Sequence, residues 1–392
     1  MAKNATTTSV SSRFVKLFLF TGVAVTLMFS GILTLVFQNN LRNQALTDIR
    51  NIQSFYNSLV EADIKMLASA LNTFSKNAAM RNTFVKHNRD ELFAACNDLF
   101  TDNRDSFGIT HFYFIDNDGT CFLRMHKRDL YGELIDRKTF AYAKTTGNVG
   151  SGIELGQTAY ALRVVMPYKD GNSTVGYVEF GEEIEHFDGV IKQATGADVV
   201  VVADKSLLDR QKYTDVRTRA GKPDEWNDLD KYVVMHDTLD QHNFFVRQVF
   251  DAAAAANVTE PTYLGNIQNG DKVLMTGIFP FYDFNHRKTG VVWVLLDISD
   301  QIRQFWWSLA GTIGIAVLVL GIFLILALHS LRVKVINPLI KLTALAETIS
   351  KGEELNHELI TDRTDEIGML TKAFDRMRIS HNKLIKRLLA NR

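Results

Sequence analysis

The sequence predicts an α+β protein: a large mixed segment held between two membrane-spanning helices and followed by a short α-helical coiled coil. Two uncharged apolar runs, 17–37 and 305–328, are 21 and 24 residues long, and about 20 helical residues suffice to cross the hydrocarbon core. Between them the apolar pattern changes from steps of three or four to steps of two, which marks helix giving way to half-buried strand. After the second run the longer step returns over two short stretches.

Composition narrows the class further. Hydrophobic residues are 46% of the 392, enough for packed cores and too many for a disordered chain. The 44 basic residues balance the 44 acidic ones, which argues against a dedicated nucleic-acid binder. Two cysteines exclude a disulfide scaffold and any zinc site built on several thiolates.

The first apolar run reads as an anchor. A cleaved leader has an apolar region of about 7–15 residues ending in a small-x-small site, whereas Gln38-Asn39-Asn40 follows here. Lys3, Arg13 and Lys16 precede this run, and Arg332, Lys334 and Lys341 follow the second. Basic residues close to a span stay on the cytoplasmic side, so both termini are expected in the cytoplasm and 38–304 outside. The outer segment holds 29 basic and 36 acidic residues, a net of −7, while the C-terminal segment holds 12 and 8. Trp306 and Trp307 suit the outer interface. The expected order is a tail (1–16), span (17–37), outer segment (38–304), span (305–328), linker (329–381) and the start of an output helix (382–392).

Residues 41–79 predict a long helix, with Leu41, Ala45, Ile49, Ile52, Phe55, Leu59, Ala62, Met66 and Ser69 on one stripe. A second helix is expected over 90–100. Strands follow at 111–115, 120–125, 159–167 and 174–180. Asp116-Asn117-Asp118-Gly119 and Lys169-Asp170-Gly171-Asn172 supply their hairpin turns. Helices are expected over 136–146 and 182–195. A weaker second set of strands is expected at 197–202, 231–235, 244–250, 271–281 and 290–297, with no demonstrable sequence repeat. Gly150–Gly156 lacks the spacing of a nucleotide loop.

A resemblance rests on His111-Phe-Tyr-Phe-Ile, Phe122-Leu-Arg-Met-His126, Tyr131-Gly132, Gly152-Ile-Glu-Leu-Gly156, Leu162-Arg-Val-Val-Met-Pro167 and Gly176-Tyr-Val-Glu-Phe-Gly181. Together these resemble a bacterial double Cache sensor domain, most closely its third subgroup. The resemblance implies a membrane-distal unit at about 80–190 and a proximal unit at about 195–300. It also implies a ligand site in the distal unit, small organic acids and amino acids being common Cache ligands.

Residues two apart share a strand face. Phe122, Arg124 and His126 are therefore expected on one side, opposite Leu123 and Met125. Ala161, Arg163 and Val165 share another face, as do Tyr177 and Glu179. Charges inside an apolar strand pattern cost free energy unless paired or bound, which singles out Arg124, Arg163, Glu154 and Glu179. One reading is an internal ion-pair network, with Arg163 and Glu179 the natural pair. The other is a pocket in which an arginine fork grips a ligand carboxylate, with Arg124 and His126 foremost, then Tyr113, Tyr131, Arg137 and Arg163. No His-x-x-x-His or Cys-x-x-Cys pair, hydrolase elbow or phosphate loop occurs, so neither catalysis, a cofactor nor a metal is expected. Cys96 and Cys121 are both in the outer segment, where a disulfide could persist.

Beyond the second span, Leu339, Leu342, Ala346 and Ile349 form one seam. Ile367, Leu370, Phe374 and Met377 form another, continued by His381, Leu384 and Leu388. Two short helices cannot bury both seams, whereas a parallel homodimer makes a four-helix bundle. Ile336-Asn337-Pro338-Leu339, the Gly352 connector and Asp365-Glu366-Ile367-Gly368 resemble a HAMP linker, which would make Pro338, Glu366, Gly368 and Phe374 relay residues. Eleven residues follow His381, so the expectation is a signalling receptor that passes its state to an output domain or to a separate protein. The whole resembles the input half of a methyl-accepting chemotaxis protein, a histidine kinase or a diguanylate cyclase. A membrane-tethered outer enzyme is the alternative of another class.

Overall fold

A computed structural model describes residues 10–156, 158–351 and 361–390. The chain divides into two compact units, Gln38–Arg303 and the pair of segments Met1–Phe37 and Gln304–Arg392.

Helix α1 (Val10–Ser75) contributes to both units. Within Gln38–Arg303 its most buried residues are Ala45, Ile49, Ile52, Tyr56, Leu67, Leu71 and Phe74. Beyond Ile52 this stripe lies one or two positions later than the expected one, because Tyr56 rather than Phe55 turns fully inward. Ile49 lies so close to the second sheet that a Cβ on Gly277 would come within 2.1 Å of its Cδ1, which is why that strand position has no side chain. Asn77 ends the long helix by capping α2 (Ala78–Val85), and Asn88 caps α3 (Arg89–Phe107), which runs past its expected end to a left-handed Gly108.

The first sheet contains β1 (His111–Ile115), β2 (Cys121–Arg124), β3 (Gly150–Leu155), β4 (Tyr160–Asp170) and β5 (Ser173–Glu183), with α4 (Lys138–Thr146) between β2 and β3. Its order is β2-β1-β5-β4-β3 and all pairs are antiparallel. After α5 (Glu185–Thr195) come β6 (Asp198–Asp204), α6 (Arg210–Arg219), β7 (Tyr232–Asp237), α7 (His242–Phe244) and α8 (Ala252–Asn257). The second sheet is completed by β8 (Thr262–Asn269), β9 (Lys272–Tyr282) and β10 (Lys288–Asp297). Its order, β7-β6-β10-β9-β8, repeats the first sheet strand for strand. The repeat that the residues hide is thus plain in the topology.

Three expectations need correction. The strand expected over 244–250 is α7 followed by a π-helical turn, Phe245–Val249. Phe244, Phe245 and Val249 are buried while Arg247 and Gln248 are both exposed, a helical rather than an alternating pattern. Edge strands β3 and β8 were not expected, since glycines weaken β3 and polar residues alternate along β8. Phe122 does not share a face with Arg124. Tyr113 opposes Arg124, Phe114 opposes Leu123 and Ile115 opposes Cys121, which leaves Phe122 as the extra residue of a bulge. It packs beside Phe84 and His87.

One face of each sheet joins a common core under α1, containing Phe112, Phe114, Leu162, Val178 and Phe180 from the first sheet and Val199, Val201, Met275 and Val292 from the second. Cys96 lies in this core and Cys121 in a different apolar cluster; both are free thiols.

In the other unit, α9 (Ser299–Leu331) and the early turns of α1 are each long and apolar enough to cross a membrane. Phe37 stacks on Phe305 at 3.8 Å and Phe18 on Phe323 at 5.5 Å. Leu320 covers Gly22, where a Cβ would approach it to 3.2 Å. A π-helical turn, Arg332–Ile336, leads into α10 (Asn337–Ser350) with Pro338 in its first turn. Helix α11 (Glu366–Ala390) opens at Glu366. The Gly352 connector and the Leu388 side chain lie outside the described residues.

Candidate functional site

The free face of the first sheet carries the charged residues that the sequence singles out. Register places Arg124 opposite Tyr113, Tyr113 opposite Glu179, and Glu179 opposite Val165. One step along, Arg163 faces Gly181. A Cβ on Gly181 would crowd the Leu162 carbonyl oxygen at 3.2 Å, while Arg163 Nη1 would lie at ordinary contact distance, 3.6 Å. Helix α4 covers this face and packs on β3 and β4, with Ile135, Phe140, Ala143, Val165 and Tyr177 forming its apolar floor.

Arg163 Nη1 donates to Glu179 Oε1 at 2.6 Å, and Arg137, the residue that begins α4, donates to the same oxygen. Burial alone would raise the Glu179 carboxyl. Arg137 and Arg163 outweigh it and hold the group below its ordinary range. Glu154 Oε1 accepts from the Thr139 N–H at 2.6 Å and so caps the positive end of α4. Burial raises its carboxyl despite that bond.

Arg124 pairs with Glu133, on the loop between β2 and α4. The Arg124 side chain is 18% exposed and that of Glu133 40%, so this pair forms the solvent-facing edge of the cluster. Arg137 and Arg124 lie 4.3 and 5.2 Å from the Tyr113 ring centre, within cation–π range. The His126 ring meets those of His111 and Tyr113 edge-on at 4.6 and 5.0 Å. Burial, reinforced by Arg124, pushes His126 down to about 3, and burial with Arg163 lowers His111 as well. Both imidazoles are therefore neutral at physiological pH.

The cluster is not internally satisfied. Arg124 Nε, His126 Nδ1, Thr139 Oγ1 and Glu179 Oε2 are buried without a hydrogen-bond partner among the described residues. Unpaired buried polar atoms are costly, and several on one face provide donors and acceptors for a polar guest. The equivalent face of the second sheet is packed with Val200, Val202, Phe244, Phe245, Val249 and Trp293, and the Trp293 indole N–H is the unpartnered polar group in that cluster. A separate cavity of about 510 Å³ lies between α1, α2 and α3, lined by Met66, Phe74, Met80, Leu99 and Phe107. It is mostly apolar, with Ser69, Thr73, Asn77 and Asn103 also on its wall and no charged side chain lining it among the described residues.

Of the expected ligand residues, Arg124, His126, Tyr113, Arg137, Arg163, Glu154 and Glu179 come together on this face. Tyr131 does not join them: it is 55% exposed and lies against Arg89, 3.4 Å from the guanidinium. Sequence reasoning missed Glu133, Thr139 and His111. Glu133 reads as an ordinary loop acid, and the one cue was an unpaired Arg124 nearby on the chain.

At the C-terminal helices, Asp365 Oδ1 accepts from the Gly368 N–H at 2.9 Å, and Arg363 donates to both Asp365 and the Lys334 carbonyl. The Arg363 contact, helped by the Gly368 amide, lowers the Asp365 carboxyl to about 2. A Cβ on Gly368 would strike the Arg363 carbonyl at 2.2 Å, so only glycine fits there. Leu370 and Met377 are 39% and 50% exposed, and Phe374 is half-buried.

Paired sheets on a long helix, flanked by spanning helices and followed by a short helical linker, define a transmembrane sensory receptor. Residues 44–229 match the model of the double sensory domain of two-component sensor kinases, the third double Cache family, and residues 332–380 match the HAMP domain. The chain thus carries a double Cache sensory domain followed by a HAMP domain. Among solved structures it is similar to the periplasmic domain of Vibrio cholerae LuxQ (12% identity over 63% of this chain and 98% of that one, TM-score 0.39). It is also similar to the ligand-binding domain of the Campylobacter jejuni chemoreceptor Tlp3 in complex with 4-methylisoleucine (10%, 67% and 92%, TM-score 0.40). A third is the V. cholerae histidine kinase DctB sensor domain (12%, 66% and 98%, TM-score 0.39). No curated protein matches the chain.

Proposed function

We propose that this receptor is a homodimer of the bacterial inner membrane, with both termini cytoplasmic, that binds a small carboxylate-bearing molecule on the charged face of its first sheet. The observation that carries this reading is the contrast between the two sheets. One covered face holds three arginines, a buried glutamate and several unpaired polar atoms, while its counterpart is an apolar cluster whose unpaired polar group is the Trp293 indole N–H. Arg137 and Arg163 already share Glu179, so Arg124 is the guanidinium whose partner can be exchanged. Glu133 occupies it from a half-exposed loop, and a ligand carboxylate takes its place.

Displacing Glu133 frees the loop that leads into α4. Tyr142 of α4 meets Phe284 edge-on at 5.7 Å, and the Phe284 N–H donates to the Ile153 carbonyl at 2.7 Å. Movement of α4 is thereby felt by the turn between β9 and β10. The ligand shifts the population of two arrangements by no more than its differential affinity for them. α9 carries the shift to the HAMP helices, whose exposed seam residues pack against a second copy. The readout is a cytoplasmic output domain or a separate signalling protein of the chemotaxis or kinase type. A thermal-shift screen of small acids and amines on the Gln38–Arg303 unit tests this reading. Stabilisation by carboxylates that disappears in Arg124→Ala supports it, and stabilisation by amines alone overturns it.

A further inference from the structure

The apolar seam between α1 and the first sheet is interrupted once by facing acids. Along α1, Asp63 falls between the buried Tyr56 and Leu67. Along β5, Glu182 continues the inward series of Val178 and Phe180 and is 1% exposed. Glu182 Oε1 has no hydrogen-bond partner, and among the described residues no lysine or arginine is paired with either acid. The two carboxyl groups face one another, with ligand atoms within 4.8 Å, and the one charged partner that Asp63 has among the described residues is His186.

The third member of this group is His186, in the first turn of α5. Its Nδ1 lies 2.9 Å from the Glu183 carbonyl oxygen, which can only accept, so Nδ1 carries the proton. In the neutral ring Nε2 is then a bare lone pair, yet it faces Asp63 Oδ2 at 3.1 Å. Either a second ring proton or a bound metal cation resolves that opposition, and the unpartnered Glu182 Oε1 beside them favours the metal. A ring N–H held by a backbone carbonyl is also the usual support of a metal-binding histidine.

We propose that Asp63, Glu182 and His186 bind one divalent transition-metal cation of the zinc type. One ligand atom from each lies within 4.8 Å of the others, and tetrahedral zinc with such ligands needs donors about 3.4 Å apart, so the widest pair closes by up to about 1.4 Å. Two carboxylate oxygens and an imidazole favour zinc over magnesium or calcium, which prefer all-oxygen shells. Asp63 and His186 are 26% and 46% exposed, which gives the ion an entrance and leaves a coordination position for water. The bound ion ties α1 to the junction of β5 and α5, where the chain leaves the first sheet for the second. Little in the amino-acid order warns of this site, because Asp63 and His186 are 123 positions apart.

The test uses the full untagged chain in detergent, stripped with chelator and dialysed against Zn²⁺ alone. Bound metal is counted by atomic emission and its shell read by X-ray absorption. The expected result is one zinc per chain in a nitrogen and oxygen shell, a raised unfolding temperature, and affinity weakened at least tenfold in Glu182→Gln. Because Glu182 is buried, His186→Ala at a half-exposed position gives the same comparison if the first variant does not fold. Equal zinc binding by wild type and His186→Ala, or a sulfur-containing shell, overturns the proposal and leaves an ordinary His186–Asp63 ion pair beside a protonated Glu182.

Discussion

Glu133→Gln separates a structural ion-pair network from an exchangeable ligand site, because the two readings predict opposite signs. If Glu133 holds Arg124 until a ligand carboxylate replaces it, removing its charge lowers the cost of exchange. The Arg124–Glu133 pair is partly exposed at both ends, and such pairs contribute at most about 1 kcal/mol. Since about 1.4 kcal/mol is a factor of ten in affinity, Glu133→Gln should tighten carboxylate binding by up to about fivefold. Arg124→Ala removes the guanidinium itself, a loss of about 2–5 kcal/mol for a buried charged contact, or about 30-fold or more. Outside the ligand, Arg124 mainly contacts Glu133 and the Tyr113 ring at 5.2 Å, so the fold should survive with an unfolding temperature only a few degrees lower. The assay is calorimetry on the Gln38–Arg303 unit with the best carboxylate from the screen. Weaker binding in Glu133→Gln, or unchanged binding in Arg124→Ala, would refute the exchange.

Three further outcomes follow from the same structure. A cysteine introduced at position 351 should resist impermeant labelling in intact cells while sites within 38–304 react; labelling at 351 would contradict the proposed topology. Leu370→Cys and Met377→Cys should cross-link between chains, and Phe374→Asp should abolish that by burying a charge in the seam; an unaltered cross-link pattern would mean the seam is misassigned. His126 is pushed down to about 3 from 6.5, so between those values the folded unit binds fewer protons than the unfolded chain. Its contribution to stability therefore falls as pH drops below 6.5. At pH 5, about 1.5 pH units below, wild type should have lost about 2 kcal/mol more than His126→Gln, by denaturant titration of both at pH 7 and 5. Parallel pH profiles would show that His126 titrates normally.

The fold was most legible where patterns were local and strong. The strand 111–115, its Asp116–Gly119 turn and the two apolar spans follow directly from period, turn chemistry and length. Legibility ended where tertiary packing overrode pattern. Phe244–Phe250 contains enough aromatics for a strand but wraps helically around Trp293, and β3 and β8 are edge strands too poor in apolar residues to stand out. The bulge at Phe122 moved one side chain across the sheet, which no count of alternation could reveal. For the site, a charge inside an apolar strand pattern was a sound cue to Arg124, Arg163, Glu154 and Glu179. It could not supply their partners Glu133 and Thr139, since these come from a loop and a helix start placed only by folding, and Arg137 was expected as a ligand contact rather than as the partner of Glu179.

A crystal structure of the Gln38–Arg303 unit with its best carboxylate ligand tests the central claim most directly. The ligand carboxylate should lie within hydrogen-bond distance of the Arg124 guanidinium, with Glu133 turned away and the Arg137–Glu179–Arg163 group intact. A ligand seated instead in the apolar cavity beside Met66 and Phe107, with the Arg124–Glu133 pair undisturbed, would contradict it.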